Sequence, residues 1–421
     1  AFLQTIKICT KIKLKDEEPK EITGYLEDLQ KRYDEFGLNG YRVIAICYKS
    51  IHDNFITKDS EFEMIFAGFI VLNDPIKPGI KETIAQLKSM KVDMKFITGD
   101  NKNVARSIAT GLGIENPVIL NGSDLQQLND DELRNRAQQI HIFAEVEPQQ
   151  KERIIKILRR DHTVAYMGDG INDVSALSAA DVGISVENAV DIARESADFV
   201  LMEKNLMVLA DGIKEGRKTF ANTLKYLYIN TGSTFGNMCS VAAASLILPF
   251  LPMLPKQILL TNFLTDFPFL MIANDNVDNE QLDRPGKWNL KVLRNYMLVF
   301  GIHSTLFDMI TFITLLIILK VQESAFQTSW FIESVLSELF ILFIIRTHKN
   351  FFKSKPGKSL FIFSVLALIV TIGLPYLPFA GEIGLTPLPM MNLGAMLIIV
   401  FAYITTADFL KVWFFKKYST E

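Results

Sequence analysis

Residues 163–186 read TVAYMGDGINDVSALSAADVGISV, and this stretch decides the fold of the first half of the chain. An apolar strand, TVAYM, runs into the polar loop GDGIND, which opens a short helix, VSALSAAD, followed by a second apolar strand, VGISV. Parallel α/β sheets bind their ligands at the carboxyl ends of the strands. The stretch therefore predicts a ligand-binding edge at Asp169 and its neighbours.

The same alternation of strands and helices extends over the sequence from Phe62 onward. The strands MIFAGFIVL, VDMKFI, PVIL and DFVLM alternate with amphipathic helices such as KETIAQLKSMK, VARSIATGLG and ERIIKILRRD. Such alternation predicts an α/β fold with a doubly wound, mostly parallel sheet. The segment 17–50 ahead of it, a polar helix followed by the strand YRVIAICYKS, is too small to be a whole α/β domain.

The second half of the chain has the composition of a membrane domain. Of the 91 Asp, Glu, Lys and Arg residues, 26 fall within 231–421 and 65 precede it. Twelve Lys and Arg lie in the loops and tail expected on the same side as the first half, against two on the opposite side, which satisfies the positive-inside rule. Six apolar stretches approach the length that spans a bilayer, at 231–250, 257–273, 296–319, 329–345, 360–377 and 391–413.

These features exclude several classes of protein. A wholly soluble globule, a disordered chain and a coiled coil do not fit the segregated charge, and a net charge of −3 argues against nucleic-acid binding. The three cysteines suggest no disulfide framework. We expect a multi-pass protein of the plasma membrane with its first half in the cytoplasm. The opening residues contain no secretion signal, and we expect the chain to start inside a larger protein.

Two strand-end loops contain the residue types of phosphate and magnesium chemistry. GDGIND places Asp169, Asp173 and the Asn172 amide together, and such oxygen ligands suit Mg²⁺. The alternative interpretation is an Asp-Gly turn with a helix-capping aspartate. Thr98-Gly99-Asp100 follows another apolar strand and would cradle a phosphate at a helix N-terminus, although many ordinary loops end in Asp. Lys151 by itself is typical of a solvated helix residue.

The order of these elements is specific. A TGD loop, a lysine some 50 residues later and GDGIND about 17 residues further resemble the motifs of the haloacid dehalogenase superfamily. DPIKPGIKETIAQLKSMKVDMKFITGDN and GDGINDVSALSAADVGISV narrow the resemblance to P-type ATPases. YINTGSTFGNMCSVAAASLILPFLPMLPKQILLTNFLTDF and FQTSWFIESVLSELFILFIIRTHK look most like the magnesium-transporting branch of those cation pumps.

The resemblance implies three domains and a set of ligands. Residues 1–60 would end a nucleotide-binding domain, 61–225 would form a haloacid dehalogenase-like phosphorylation domain, and 226–421 would form an all-α transmembrane domain of six helices. Mg²⁺ would be the cofactor, and ATP and a divalent cation would be the substrates. The lipid bilayer and a missing amino-terminal part of the pump would be the partners.

The resemblance also implies roles for individual residues. Asp169 would hold the catalytic Mg²⁺, with Asp173 as a further metal and loop-ordering residue. The transferred phosphoryl group would be bound by Thr98, Gly99 and Lys151, and Asn172 would help to order its loop. Asp100 would support its own loop and contact the nucleotide, and Arg42 would contact the nucleotide phosphates. Glu145 departs from the family pattern, which usually places Arg there, and this puts one nucleotide contact in doubt.

The nucleophile of such pumps is the Asp of a DKTGT string, and no such string occurs in the 421 residues. The nucleotide-pocket lysine, the actuator domain and the first four membrane helices of the family also have no counterpart here. We therefore expect the sequence to be the carboxyl-terminal portion of a pump. A fragment without the nucleophile should have no catalytic activity of its own.

Polar residues in the apolar stretches predict a transport site. Asn262 and Asp266 lie four residues apart on one helical face, and Pro268 interrupts the backbone just beyond them. Oxygen ligands beside a broken helix suit a hard cation, with Asn237 as a candidate partner. The alternative is an interhelical hydrogen bond. Further polar residues are assigned to packing, orienting or interfacial roles, namely His303, Asp308, Glu333, Glu338 and Asp408.

Three functions are compatible with these patterns. The favoured one is an ion pump that couples aspartyl-phosphate chemistry to the movement of a divalent cation, expected to be magnesium. A membrane-anchored phosphatase is disfavoured, because it too would need a nucleophilic aspartate on the missing strand. An inactive or regulatory membrane partner of a pump is the alternative from another class. A neighbouring reading frame with its own DKTGT would favour a divided pump.

Overall fold

A computed structural model describes residues 2–15, 17–51, 61–73, 75–203, 205–283 and 285–418. The chain divides into two compact units, Ala1–Asp211 and Gly212–Glu421. The first contains both strand-end loops, and the second contains the predicted membrane segments. The domain boundaries expected at 60 and 225 remain predictions.

The first unit opens with a mixed four-stranded sheet. Its strands β1 (Cys9–Ile12), β2 (Lys20–Glu21), β3 (Arg42–Tyr48) and β4 (Met64–Leu72) are ordered β2-β1-β4-β3. Helices α1 (Phe2–Lys7) and α2 (Leu26–Leu38) belong to the same part of the chain. The strand MIFAGFIVL was expected to open the parallel sheet, but as β4 it pairs antiparallel with β3 and parallel with β1. Strand periodicity identifies a strand without identifying its partner, so this placement could not be predicted.

Two parallel three-stranded sheets follow. Strands β5 (Phe96–Ile97), β6 (Ile119–Asn121) and β7 (Ile142–Ala144) are ordered β5-β7-β6. Strands β8 (Ala165–Met167), β9 (Val182–Val186) and β10 (Phe199–Leu201) are ordered β10-β9-β8. The accompanying helices are α3 (Ile80–Ser89), α4 (Lys102–Gly111), α5 (Gly122–Gln127), α6 (Asp130–Ala137), α7 (Pro148–Leu158), α8 (Val174–Ala179) and α9 (Asp191–Glu195). The described strands thus form two short sheets in place of the single doubly wound sheet expected.

A common core connects the two parallel sheets. Helix α7 places Ile154 in the core of the first sheet and Ile155 in the core of the second. Ile97 of β5 packs against both cores, and Tyr166 of β8 belongs to the second. In the described residues, β5 pairs only with β7 and β8 only with β9. Each sheet therefore presents one unpaired edge next to shared core residues.

The second unit is helical. Its helices are α10 (Met207–Ile247), α11 (Pro255–Leu270), α12 (Asn279–Leu282), α13 (Leu290–Ile313), α14 (Glu323–Ile345), α15 (Lys358–Gly373) and α16 (Met390–Tyr418). Within the described ranges, four helical segments are long and apolar enough to cross a membrane: Leu290–Ile318, Glu323–Ile345, Lys358–Tyr376 and Met390–Tyr418. The two other predicted spans, 231–250 and 257–273, overlap α10 and α11 and extend three residues beyond the end of each helix. Helix α14 lies at the centre of the unit, since most of its side chains are buried.

A buried charge network lies at one end of this helical unit. The Asp275 carboxylate is fully buried and accepts hydrogen bonds from Lys225 Nζ at 2.8 Å, from Arg346 Nε at 3.1 Å and from the Gly357 backbone N–H at 2.8 Å. The Asn222 side chain donates to the Asp275 carbonyl at 3.1 Å. The network joins α10, the segment after α11, the end of α14 and the start of α15.

Candidate functional site

The loop after β8 is held in shape by its own backbone and by β9. The Gly168 N–H donates to the Ile184 carbonyl at 3.1 Å, and Ser185 Oγ donates to the Gly168 carbonyl at 3.0 Å. A β-carbon at Gly168 would lie only 2.4 Å from the Asp173 β-carbon, so glycine is needed for this close approach. The chain can therefore turn sharply from the strand into the helix and return Asp173 against the strand end.

Asp173 is the centre of a partly buried cluster. Its Oδ1 accepts hydrogen bonds from Lys151 Nζ at 2.7 Å and from Tyr166 Oη at 2.6 Å, and its Oδ2 accepts from the Gly170 N–H at 3.3 Å. The Lys151 and Asp173 side chains are only 12% and 13% exposed. Burial alone would raise the pKa of the Asp173 carboxyl, but the hydrogen bonds from Lys151 and Tyr166 outweigh it and lower that pKa. The Asp173 carboxyl is therefore ionised at neutral pH.

The local sequence before Lys151 explains its position. Helix α7 begins with Pro148 directly after Glu147, and proline suits the first helical position because its missing N–H costs nothing there. The Gln150 side chain accepts from the Glu147 N–H at 2.9 Å and donates to the Gly122 carbonyl at 2.9 Å. Lys151 thus projects from an anchored first turn, and its partner Asp173 fixes the ammonium group.

The Thr98-Gly99-Asp100 loop is a second ordered turn at the end of β5. Thr98 Oγ1 donates to Asp100 Oδ2 at 3.1 Å and accepts from the Asp100 N–H at 3.0 Å. Asn101 caps α4 by accepting from the Asn103 N–H at 2.8 Å. The exposed Gly99 lies within the first of these turns, between Thr98 and Asp100. The loop therefore has the predicted position at a strand end and a helix N-terminus.

Arg42 and Glu145 both contact the Thr98-Gly99-Asp100 loop. Arg42 Nη2 lies 3.0 Å from Asp100 Oδ1, with its side chain 66% exposed. Glu145 accepts from the Lys102 N–H at 3.2 Å through its side chain, and its own N–H donates to the Asp100 carbonyl at 3.0 Å. Glu145 therefore supports the loop and the start of α4. Its departure from the family pattern did not predict these contacts.

The Asp169 carboxylate, unlike that of Asp173, is free to bind a ligand. Asp169 is exposed, and in the described part of the chain its carboxylate forms no hydrogen bond or salt bridge. Both oxygens of Asp173, in contrast, are engaged by protein donors. Asp169 could therefore hold Mg²⁺ through a free carboxylate, whereas Asp173 accepts hydrogen bonds from Lys151, Tyr166 and Gly170, and the assignment of the metal to these two aspartates stays a prediction. No group of three or more His, Cys, Asp or Glu residues suited to a metal occurs in the described ranges.

The structure brings some of the predicted site residues together and leaves others apart. Arg42, Thr98 and Asp100 form one group, and Lys151 and Asp173 form another. Among the described residues, no hydrogen bond or salt bridge joins the two groups. The exposed Asn172 lies in the turn between Asp169 and Asp173. Tyr166 was not predicted as a site residue, although a tyrosine in the apolar strand that leads into GDG was a usable signal.

Two of the predicted transport residues are exposed on α11, and the third, Asn237, is half-buried and faces α14. Asn262 and Asp266 are exposed on α11, whereas the buried Thr261 and Thr265 on the same helix bond to preceding carbonyl groups at 3.0 and 3.1 Å. Asn237 of α10 instead donates to Glu338 Oε1 of α14 at 2.5 Å. The hydrogen-bond partner of Asn237 is therefore Glu338, which sequence reasoning had not paired with it.

Comparison with known proteins identifies both halves of the chain. Two family models described as haloacid dehalogenase-like hydrolase match residues 24–181 and 152–213. The family model described as "Cation transporting ATPase, C-terminus" matches residues 250–413. The fold and the family models thus define a haloacid dehalogenase-like domain followed by a helical region similar to the C-terminus of cation-transporting ATPases.

Individual relatives narrow this class. The chain is 38% identical to the "Magnesium-transporting ATPase, P-type 1" of Escherichia coli K12 and 36% identical to that of Salmonella typhimurium LT2, over 100% of this chain and 48% of each relative. It is 28% identical to a calcium-transporting ATPase of Bacillus subtilis over 82% of this chain and 41% of that relative. The chain belongs to the P-type cation-transporting ATPases. It spans about half the length of the curated relatives it matches.

Proposed function

We propose that this chain supplies the phosphoryl-binding and membrane parts of an ATP-driven pump for a divalent cation, magnesium. The observation that carries the proposal is the Lys151–Asp173 pair. This pair holds the Lys151 ammonium group at the end of β8, beside the free carboxylate of Asp169. A phosphoryl-transfer site needs positive charge around the transferred group and a carboxylate for its metal ion. The similarity to magnesium-transporting relatives supports the choice of ion.

Each site residue has a role in this proposal. Lys151 attracts the transferred phosphoryl group, and Thr98 and Gly99 hold it through the hydroxyl and backbone N–H groups of their turn. Asp100 and Arg42 lie at the mouth of that turn and contact the nucleotide, and Asn172 keeps the turn between Asp169 and Asp173 in order. Mg²⁺ bound by Asp169 would neutralise charge that develops during transfer.

The DKTGT string that would contain the nucleophile of this reaction does not occur within the 421 residues. We propose that it arrives on a parallel strand that pairs with both β5 and β8. The unpaired edges of these strands, and the contact of Ile97 and Tyr166 with one apolar core, support this placement. Such a strand would unite the two short sheets into one doubly wound sheet and would end beside both loops.

The membrane part would consist of six spans, with α10 and α11 added to the four helices that qualify by length and apolarity. The protein would lie in the plasma membrane with its first unit in the cytoplasm. The cation would bind at the face of α11 that contains Asn262 and Asp266, with Asn237 assisting through Glu338. Pro268 supports this location, since it has no N–H to pair with the carbonyl one turn earlier.

Incubation with labelled ATP and Mg²⁺ tests the proposed catalysis. The purified chain should stay unlabelled, because its motifs bind and orient a phosphoryl group without a nucleophile. Coexpression with the part of the Escherichia coli relative that this chain does not match should restore acid-stable, hydroxylamine-sensitive labelling. That part alone is the control. Stable labelling of the chain alone would contradict the assignment, and an unlabelled complex with intact assembly would favour a regulatory partner.

Replacing Asp266 by asparagine tests the transport site in the assembled pump. The side chain keeps its size but loses its charge, so cation-stimulated turnover should weaken by about tenfold or more, as for lost metal-site contacts. Melting should be unchanged, because Asp266 is exposed on α11. Asp283→Asn, an exposed loop residue of the same unit, is the matched control. Lower stability with parental cation dependence would indicate a structural role.

A further inference from the structure

Glu145 lies directly after β7 with its backbone in the left-handed region. Its φ angle is +57°, a conformation that non-glycine residues rarely adopt. Its neighbours Ala144 and Val146 are buried, whereas Glu145 itself is exposed. A residue keeps such a conformation only where the surrounding structure fixes it. Glu145 is therefore held by specific contacts, and these contacts indicate its role.

The backbone at Glu145 holds the Thr98-Gly99-Asp100 loop. The Glu145 N–H donates to the Asp100 carbonyl at 3.0 Å. The Val146 N–H donates to the Thr98 carbonyl at 3.1 Å. The carbonyl groups of the two residues that flank Gly99 are thus both engaged. The Gly99 N–H donates to no group of the described residues, and it therefore remains for a ligand.

The Glu145 side chain holds the start of α4. Its Oε1 accepts a hydrogen bond from the Lys102 N–H at 3.2 Å. The next N–H of the helix, that of Asn103, donates to the Asn101 side chain at 2.8 Å. A carboxylate suits this position, because the N-terminal end of a helix carries a partial positive charge. An arginine side chain can only donate hydrogen bonds, so it could not replace this contact.

The Glu145 carbonyl lies against the residue that follows β6. A β-carbon at Gly122 would lie only 2.3 Å from this oxygen, so glycine is required there. The Gly122 carbonyl accepts from the Gln150 side chain at 2.9 Å, in the first turn of the helix that presents Lys151. Glu145 therefore contacts the Thr98-Gly99-Asp100 loop directly and the first turn of α7 through Gly122.

We propose that Glu145 is a positioning residue for phosphoryl transfer. It holds the Thr98 hydroxyl and the Gly99 N–H in place relative to the Lys151 ammonium group. This role rests on the proposed function, and Glu145 acts in it without touching the nucleotide. The family pattern usually places arginine here, whereas the side chain and the backbone of Glu145 both bind protein groups. The position thus orients the loop in this chain.

The charge of Glu145 predicts an effect on rate and not on nucleotide affinity. Arg42 forms a salt bridge with Asp100 at 3.0 Å and is the cation at this loop that would attract the nucleotide phosphates. A carboxylate repels phosphate groups, so removal of the Glu145 carboxylate should not weaken nucleotide binding. A loop that is less well held should still bind ATP but transfer its phosphoryl group more slowly.

Phosphoenzyme formation in the assembled pump, measured against ATP concentration, tests this role. Glu145→Ala should lower the maximal rate about 10–100-fold, as expected when reacting groups are misplaced by about 1 Å. The ATP concentration for half-maximal rate should not rise. Glu145→Gln should keep the parental rate, because the amide retains an acceptor oxygen for the Lys102 N–H. Glu115→Ala, an exposed glutamate shortly after α4, is the matched control and should keep it as well.

Glu145→Gly separates the side chain from the strained backbone. Glycine adopts the left-handed conformation without strain, so this variant should fold and should still lose rate as Glu145→Ala does. A folded Glu145→Gly or Glu145→Ala pump with the parental maximal rate would overturn the proposal. An equal loss of rate in Glu145→Gln and Glu145→Ala would overturn it too, because the retained acceptor would then have no effect.

Amide hydrogen exchange in the purified chain, without ATP or a partner, tests the contact independently of the pump. The Lys102 N–H should lose protection in Glu145→Ala and keep it in Glu145→Gln. Equal protection in Glu145→Ala and the parental chain would overturn the proposal. A parental pump that forms no phosphoenzyme would overturn the proposed function, and with it the role in transfer. That outcome is recognised in the parental protein before any variant is compared.

Discussion

Replacing Asp275 by alanine should lower the free energy of unfolding of the helical unit by about 3–5 kcal/mol, the cost of breaking a buried ion pair by removing one partner. Lys225 Nζ and Arg346 Nε are buried and lie 2.8 and 3.1 Å from Asp275 Oδ2. Without Asp275 both cations lose their salt-bridge partner in the described structure. Their remaining contacts are neutral backbone carbonyls.

Thermal and denaturant melting of the purified chain would measure this loss. Glu280→Gln is the matched control, because the Lys349–Glu280 pair lies in the same region but is exposed, at 39% and 74%. An exposed pair contributes about 0–1 kcal/mol. Asp275→Asn should fall between the two, since the amide keeps one acceptor oxygen. Equal melting of Asp275→Ala and Glu280→Gln would show that the buried network does not hold the unit together.

Local sequence pattern predicted the elements that carry the site better than it predicted their partners. The strand and loop at 163–186 and the helix that presents Lys151 were predicted correctly, because strand length, turn residues and helix caps act over a few residues. The prediction that the strand MIFAGFIVL belongs to the parallel sheet was wrong, because its apolar run is compatible with any half-buried sheet. The two short parallel sheets could not be predicted, because pairing between strands depends on contacts distant in sequence.

The same limit explains the buried polar residues of the helical unit. Helix α14 has buried residues on all sides, both apolar and polar, so periodicity does not distinguish an inward face from an outward face. Asp308 was assigned to packing or to the interface, although Ser240 and Trp330 both donate to it. The Asn237–Glu338 hydrogen bond joins positions 101 residues apart, and no local pattern connects them. Buried polar partners of this kind are defined by helix packing.

The Asp169 and Asp173 carboxylates, four residues apart, are expected to respond differently to the same substitution. Asp169 is exposed and unpaired in the described structure, whereas Asp173 is bound by Lys151 and Tyr166. Asp169→Asn should therefore leave melting unchanged, and Asp173→Asn should lower it by removing half of a partly buried ion pair. The comparison separates a ligand-binding role from a structural one within a single loop.

In the assembled pump, Asp169→Asn should reduce the rate of phosphorylation by ATP about 10²–10³-fold, comparable to the loss of one strong electrostatic contact to a transition state. The amide keeps the size of the side chain but removes the charge that would hold Mg²⁺, and Mg²⁺ neutralises the transferred phosphoryl group. Phosphoenzyme formation measured against Mg²⁺ concentration should show a weaker Mg²⁺ dependence. Asp191→Asn, another exposed aspartate of the same unit, should leave both rate and Mg²⁺ dependence unchanged. A folded Asp169→Asn pump with parental rate and Mg²⁺ dependence would remove Asp169 from the metal site and leave the loop with a purely structural role.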